Sequence, residues 1–97
     1  MKTLFWNIRG LANTPSKLAL RRIIKKEKPD IILIVEPWMS FRNFPKRWLL
    51  RLDLKMFSMN KRDNLLPNLW CICNSRLNPQ ILSSDDQHVA FSISEND

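Results

Sequence analysis

Five consecutive apolar residues, Ile31-Ile32-Leu33-Ile34-Val35, lie between Pro29 and Pro37. No polar residue interrupts them, so the segment reads as a strand buried on both faces, as in parallel sheets. What precedes it constrains the fold further. Residues 2–8, KTLFWNI, form a shorter apolar and aromatic strand that also reads as buried on both faces. Gly10, the single glycine of the chain, follows and allows a sharp exit. Thr14 then reads as a helix N-cap with Pro15 as the first helical residue. From Ser16 to Lys28, Ala19, Leu20, Ile23 and Ile24 make an apolar stripe, with Lys17, Arg21, Lys25 and Lys28 on the other side. Pro29 ends the helix. Strand, helix and buried strand predict a βαβ unit with parallel strands and a right-handed crossover.

The rest of the chain reads differently. Residues 44–54, FPKRWLLRLDL, suit a second short helix that buries Phe44, Trp48 and Leu52. Residues 56–60, 68–74, 80–83 and 87–93 read as strands, with turns at Asn78-Pro79 and Ser84-Asp85-Asp86. Their partial alternation, as in Val89, Phe91 and Ile93, suits an antiparallel meander. The expected class is α/β (α+β) in one domain over residues 1–97. No apolar run approaches the ~18–20 residues of a membrane span, and MKTLFWNIRG is interrupted too early for a signal peptide. With Cys71 and Cys73 alone there is no disulfide framework, so a reducing, intracellular setting is expected. Two residues apart in a strand, these cysteines face one side. They read as small buried residues rather than zinc ligands, since a zinc site needs about four donors and only His88 could join them.

Charge is unevenly distributed. Residues 1–62 hold fifteen Lys and Arg against four Asp and Glu, a surplus of eleven. Residues 63–97 hold one basic and five acidic residues, a deficit of four. The first segment therefore suits a polyanion, although a basic helix is also an ordinary solvated face.

In an open α/β sheet, ligands gather beyond the carboxyl ends of parallel strands. Asn7 is expected near the end of the first strand, buried between Trp6 and Ile8, and Glu36 ends the second. Pro37 keeps Glu36 out of the helical region, so an extended backbone is expected there. One carboxylate with an amide oxygen suits Mg²⁺, which completes its shell with water and phosphate. The alternative has Asn7 capping a turn and Glu36 paired with a lysine or arginine. Among the tryptophans, Trp6 and Trp70 read as core, and Trp38, just past Glu36, is placed to stack on a base.

The string Leu4-Phe5-Trp6-Asn7-Ile8-Arg9-Gly10-Leu11, the basic helix, and Lys28-Pro29-Asp30-Ile31-Ile32-Leu33-Ile34-Val35-Glu36-Pro37-Trp38 together resemble the start of the endonuclease/exonuclease/phosphatase superfamily. The likeness is greatest to the apurinic-type endonuclease domains of plant LINE-type (non-long-terminal-repeat) retrotransposons. NLWCICN and DDQHVAFSI resemble the next strands of those domains. The resemblance implies a partial four-layer α/β sandwich and metal-dependent phosphodiester cleavage. It implies that Glu36 binds Mg²⁺ or Mn²⁺ and that Asn7 helps to hold the phosphate network, both as catalytic and metal-site residues. DNA is the implied partner, with Arg9, Lys17, Arg21, Arg22, Lys25 and Trp38 as its contacts, and a nuclear location follows for a retrotransposon endonuclease.

The later motifs of that superfamily have no counterpart here. There is no tyrosine, and the lone His88 matches none of its catalytic positions, so it reads as a strand-edge histidine. The chain reaches Glu95-Asn96-Asp97 where the superfamily would continue. The expectation is an amino-terminal fragment, inactive alone, whose missing half would be encoded downstream. The alternatives are a basic, sequence-nonspecific nucleic-acid-binding module and a mobile-element relic without function.

Overall fold

The computed structural model describes residues 1–63 and 65–94, so Glu95-Asn96-Asp97 lie outside the described residues. The chain runs β1 (Thr3–Asn7), α1 (Thr14–Glu27), β2 (Ile31–Val35), a 3-10 turn (Phe41–Asn43) and α2 (Arg47–Arg51). It continues through β3 (Leu54–Met59), β4 (Leu69–Asn74), β5 (Gln80–Ser84) and β6 (Val89–Ser92). The class is mixed α/β with a βαβ start, and β1 and β2 pair in parallel from Thr3↔Ile31 to Asn7↔Val35. Every later pairing is antiparallel.

The strand order β1-β2-β4-β3 departs from a plain meander, because β4 inserts between β2 and β3. The β5–β6 hairpin is a separate two-stranded sheet. It meets the first sheet where Phe57 packs edge-on against Phe91, ring centroids 5.0 Å apart.

One face of the four-stranded sheet carries the core. Ile32, Ile34, Trp70 and Ile72 join Leu20 and Ile24 of α1 and Trp48 and Leu49 of α2 in one buried cluster. Period-two alternation puts Leu4 and Trp6 on this face and Thr3, Phe5 and Asn7 on the other. The expectation that β1 is buried on both faces therefore fails. β1 is an edge strand, and Phe5 is 65% exposed. Across the same outer row, Phe5 faces Leu33 and Leu33 faces Cys71, which is buried. Burial pushes the Cys71 thiol up to about 11 and raises that of Cys73, with Lys55 opposing the latter. Both thiols are small buried groups, as expected, and stay protonated at neutral pH.

Helix boundaries differ in detail. Asn13, not Thr14, is the N-cap of α1, its side chain accepting the Ser16 N–H at 2.8 Å. That shift moves Pro15 to the second helical position. Leu20 and Ile24 are buried but Ala19 is exposed, so Lys17 and Arg21 border the buried stripe instead of opposing it. The expected helix over 44–54 shrinks to Arg47–Arg51. Pro45 holds Phe44 extended (φ −83°, ψ 140°), and Asp53 turns through φ 57° into β3. Phe44 and Trp48 are buried as expected, and Leu52 is half-buried.

Replacing Ile34, fully buried at the centre of the sheet, with Ala is expected to cost about 2–5 kcal/mol. Phe5→Ser on the open face should stay within about 0.5 kcal/mol of the parent. Urea midpoints for the two variants check the assignment of faces.

Candidate functional site at the carboxyl ends of the parallel strands

The β1–β2 ladder does not stop where the strands end. Ile8 N–H donates to Val35 O (3.0 Å), Gly10 N–H to Glu36 O (2.9 Å) and Leu11 N–H to Pro37 O (2.8 Å). To keep these bonds while leaving the sheet, both chains turn left-handed: Arg9 at φ 47°, Gly10 at 112°, Glu36 at 56° and Trp38 at 53°. Non-glycine residues with positive φ are uncommon and cost of order 1 kcal/mol each. Three such residues beside Gly10 at one sheet end mark it as a place where geometry outranks backbone comfort. Buried Leu11, Pro37 and Met39 anchor the two segments from below. Glu36 is thus not extended. Pro37 removes the right-handed helical option, and the chain takes the left-handed one.

This turn brings Glu36 toward Arg9, with Arg9 Nε 3.8 Å from Glu36 Oε2. The pair is the arginine partner anticipated as the alternative role for Glu36. Asn7, directly opposite Val35, stands on the open face and is exposed rather than buried between Trp6 and Ile8. Its two chain neighbours point to the core face, and alternation sends Asn7 the other way. Trp38 is 61% exposed and its ring covers Gly10, where an added Cβ would lie 3.3 Å from Trp38 Cε3.

Glu36 is also fixed from the β4 side, its N–H donating to Asn68 O at 2.8 Å. Asn60, fully buried, holds that neighbour in place. Its Oδ1 accepts the N–H groups of Asn68 and Leu69, both at 2.9 Å, and its Nδ2 donates to Asn68 Oδ1 (2.6 Å) and Asp86 O (3.1 Å). Sequence reasoning missed Asn60 and Asn68 as site residues, since each reads only as the polar end of a strand, Asn60 closing 56–60 and Asn68 opening 68–74. The available signal was Asn60 ending an apolar strand pattern, where a side-chain amide must find partners.

Beside Asn68 opens a cleft of about 640 Å³ lined by Lys61, Arg62, Asp63, Asp85, Asp86 and other side chains. Glu36 and Asn7 do not line it. It occupies the same end of the sheet, because Leu69 of β4 pairs with Val35. Asp85 at its rim is held below the usual carboxylate range, first by the Gln87 N–H. Desolvation opposes this, and contacts with His88 add to it.

The basic residues divide between two ends. Arg9 and Trp38 stand beside Glu36, and Lys17 lies in the first turns of α1, near the end of β1. Arg21 is half-buried, with Nε shielded from solvent, and Arg22 is exposed in mid-helix. Lys25 and Lys28 sit at the opposite end, beside Pro29 and Asp53. The five residues of β2 separate them from Glu36, roughly 16 Å at strand rise.

The donors present at the strand ends are hard oxygens, one carboxylate and one amide, which suit Mg²⁺ or Mn²⁺. Among the described residues no group of three or more His, Cys, Asp or Glu converges on one point. Most of such an ion's shell would come from water and phosphate. Among the described residues no helix is long and apolar enough to cross a membrane.

Gly10→Ala is expected to destabilise the chain by at least about 1 kcal/mol, because a side chain at φ 112° is strained and meets the Trp38 ring. Urea unfolding followed by tryptophan fluorescence measures both effects. The lowered Asp85 carboxyl gives a second expectation. Its contribution to the β5–β6 turn is present above the ordinary carboxylate range and is lost as pH falls through its lower folded value. The protection of the Gln87 and His88 amides against exchange, relative to the intrinsic rate at each pH, should fall in acid in the parent and already at neutral pH in Asp85→Asn.

The sequence profile of the Endonuclease/Exonuclease/phosphatase family matches residues 4–89. No curated protein gives a significant match to the chain.

Proposed function

The chain belongs to the endonuclease/exonuclease/phosphatase family, and from this we propose that it contributes the Glu36 half of a Mg²⁺-dependent endonuclease site acting on DNA, of the LINE retrotransposon type. One observation carries the reading: a carboxylate and a guanidinium pair at 3.8 Å just beyond the carboxyl ends of two parallel strands, the first of which ends in Asn7. An ion held by Glu36, with Asn7 beside it, would supply positive charge to the phosphate and the leaving oxygen. Arg9 is placed to bind a phosphate oxygen, and Trp38 offers an exposed ring to a base next to it. Lys17 extends the positive surface along the DNA backbone.

A complete hydrolytic site also needs a group that orients the attacking water and one that meets the departing oxygen. Glu36, Asn7 and Arg9 fill neither role, so on this reading other groups complete the site. Glu36 is one carboxylate faced by a cation. The 97-residue chain should therefore leave supercoiled plasmid intact in Mg²⁺ or Mn²⁺. Nicking that disappears in Glu36→Gln would show that the chain suffices, and the half-site reading would fall.

DNA binding offers a separate check. Affinity should fall steeply with salt, and Arg9→Ala or Lys17→Ala should each lower the salt slope by about one. Lys25→Ala and Lys28→Ala, at the far end, should change it little. Equal losses from both groups would favour a nonspecific basic face over a site centred on Glu36.

A further inference from the structure

We infer that Ser83, His88 and Asp85 on the β5–β6 hairpin form a nucleophilic serine site, separate from Glu36, that takes an acyl group from activated esters. The three side chains are in line. Ser83 Oγ lies 3.0 Å from His88 Nε2, and His88 Nδ1 lies 2.9 Å from Asp85 Oδ1. Asp85 is itself fixed, accepting the N–H groups of Gln87 (2.8 Å) and His88 (2.9 Å), while its own N–H donates to His88 O (2.9 Å).

In the tautomer whose Nδ1–H donates to the Asp85 carboxylate, Nε2 is left to accept the Ser83 O–H. That is the order of nucleophile, base and orienting carboxylate that activates a serine.

The strand is built around this placement. Register passes from Ile81↔Phe91 to Ser83↔Ala90, so Leu82 is an extra residue that moves Ser83 by one place along β6. Bulges of this kind re-aim side chains and gather next to active sites. The three groups are solvent-exposed, so burial did not force them to pair. Ile81 and Leu82, which precede Ser83 in β5, are exposed and bring apolar surface to the same strand.

The step balances without a cofactor. Ser83 Oγ bonds to the ester carbonyl carbon as its proton passes to His88 Nε2. The carbon–oxygen bond to the leaving phenolate then breaks, and the phenolate takes the proton from His88 to depart as a phenol. Acyl-Ser83 remains. Because the hairpin is open to water, the expected signal is stoichiometric acylation rather than rapid turnover.

The test treats the full chain with 4-nitrophenyl acetate and maps acetylated serines over time by mass spectrometry of tryptic peptides. Ser75, exposed in the β4–β5 turn, is the internal reference. General-base assistance is worth about 10²–10⁴-fold in formed active sites, so an open triad should acetylate Ser83 at least about tenfold faster than Ser75. His88→Gln should bring Ser83 down to the Ser75 rate. Circular dichroism and the unchanged Ser75 rate confirm that this variant is folded. Ser83 reacting no faster than Ser75, or undiminished in His88→Gln, would overturn the proposal.

Discussion

The hydrogen-bonded ladder between β1 and β2, carried past the strand ends, is the constraint on which the candidate site depends. Three bonds beyond Asn7 tie the two exits together, and they can form only if both chains turn left-handed at the same level. The core makes this tolerable. Leu11 and Pro37 are fully buried just past the turns, so a return to ordinary backbone angles would expose them. Burial at roughly 25 cal/mol per Å² over two such side chains outweighs a few strained residues. Arg9 and Glu36 face each other as a by-product of how the sheet is closed off.

Much of this was legible in the sequence. Ile31–Val35 announced a buried strand, and a helix between two strands dictated a parallel pair ending at Asn7 and Val35. The misreadings share one cause, that local pattern carries no information about neighbours. KTLFWNI has the composition of a strand covered on both sides, yet β1 lies at the edge and the two-stranded sheet meets the β3 side. Asn7 is exposed for the same reason. Glu36 was misjudged because a proline excludes one backbone region without choosing between the others. Asn60 carried a signal, as an amide ending a strand pattern, but not its partners, because its four side-chain contacts run to a segment eight residues away and to the hairpin turn.

The charge pattern changes meaning in three dimensions. A helical row of Lys17, Arg21, Lys25 and Lys28 looks like one surface in sequence. Helix α1 runs back along the sheet to reach the start of β2, so its two ends serve opposite ends of the strands. Lys17 belongs with Arg9, whereas Lys25 and Lys28 share a recess with Asp53. Acidic Asp63, Asp85 and Asp86 stand around the cleft next to Asn68, so this end of the sheet is mixed in sign. A polyanion would meet favourable charge along the α1 side and resistance toward the hairpin.

The Arg9–Glu36 contact shows how such a surface remains adaptable. At 3.8 Å, with Arg9 73% exposed, the pair is screened by water and contributes at most about 1 kcal/mol. A buried, bidentate pair would lock the carboxylate. This one leaves Glu36 open to exchange its partner at small cost, while the backbone bonds from Glu36 N–H to Asn68 and from Gly10 N–H to Glu36 O keep its position. Position is therefore held by the main chain and partnership by a weak ion pair. That division suits a residue proposed to meet a cation and a phosphate together, because Arg9 can turn to the phosphate as Glu36 turns to the cation, and neither change disturbs the sheet.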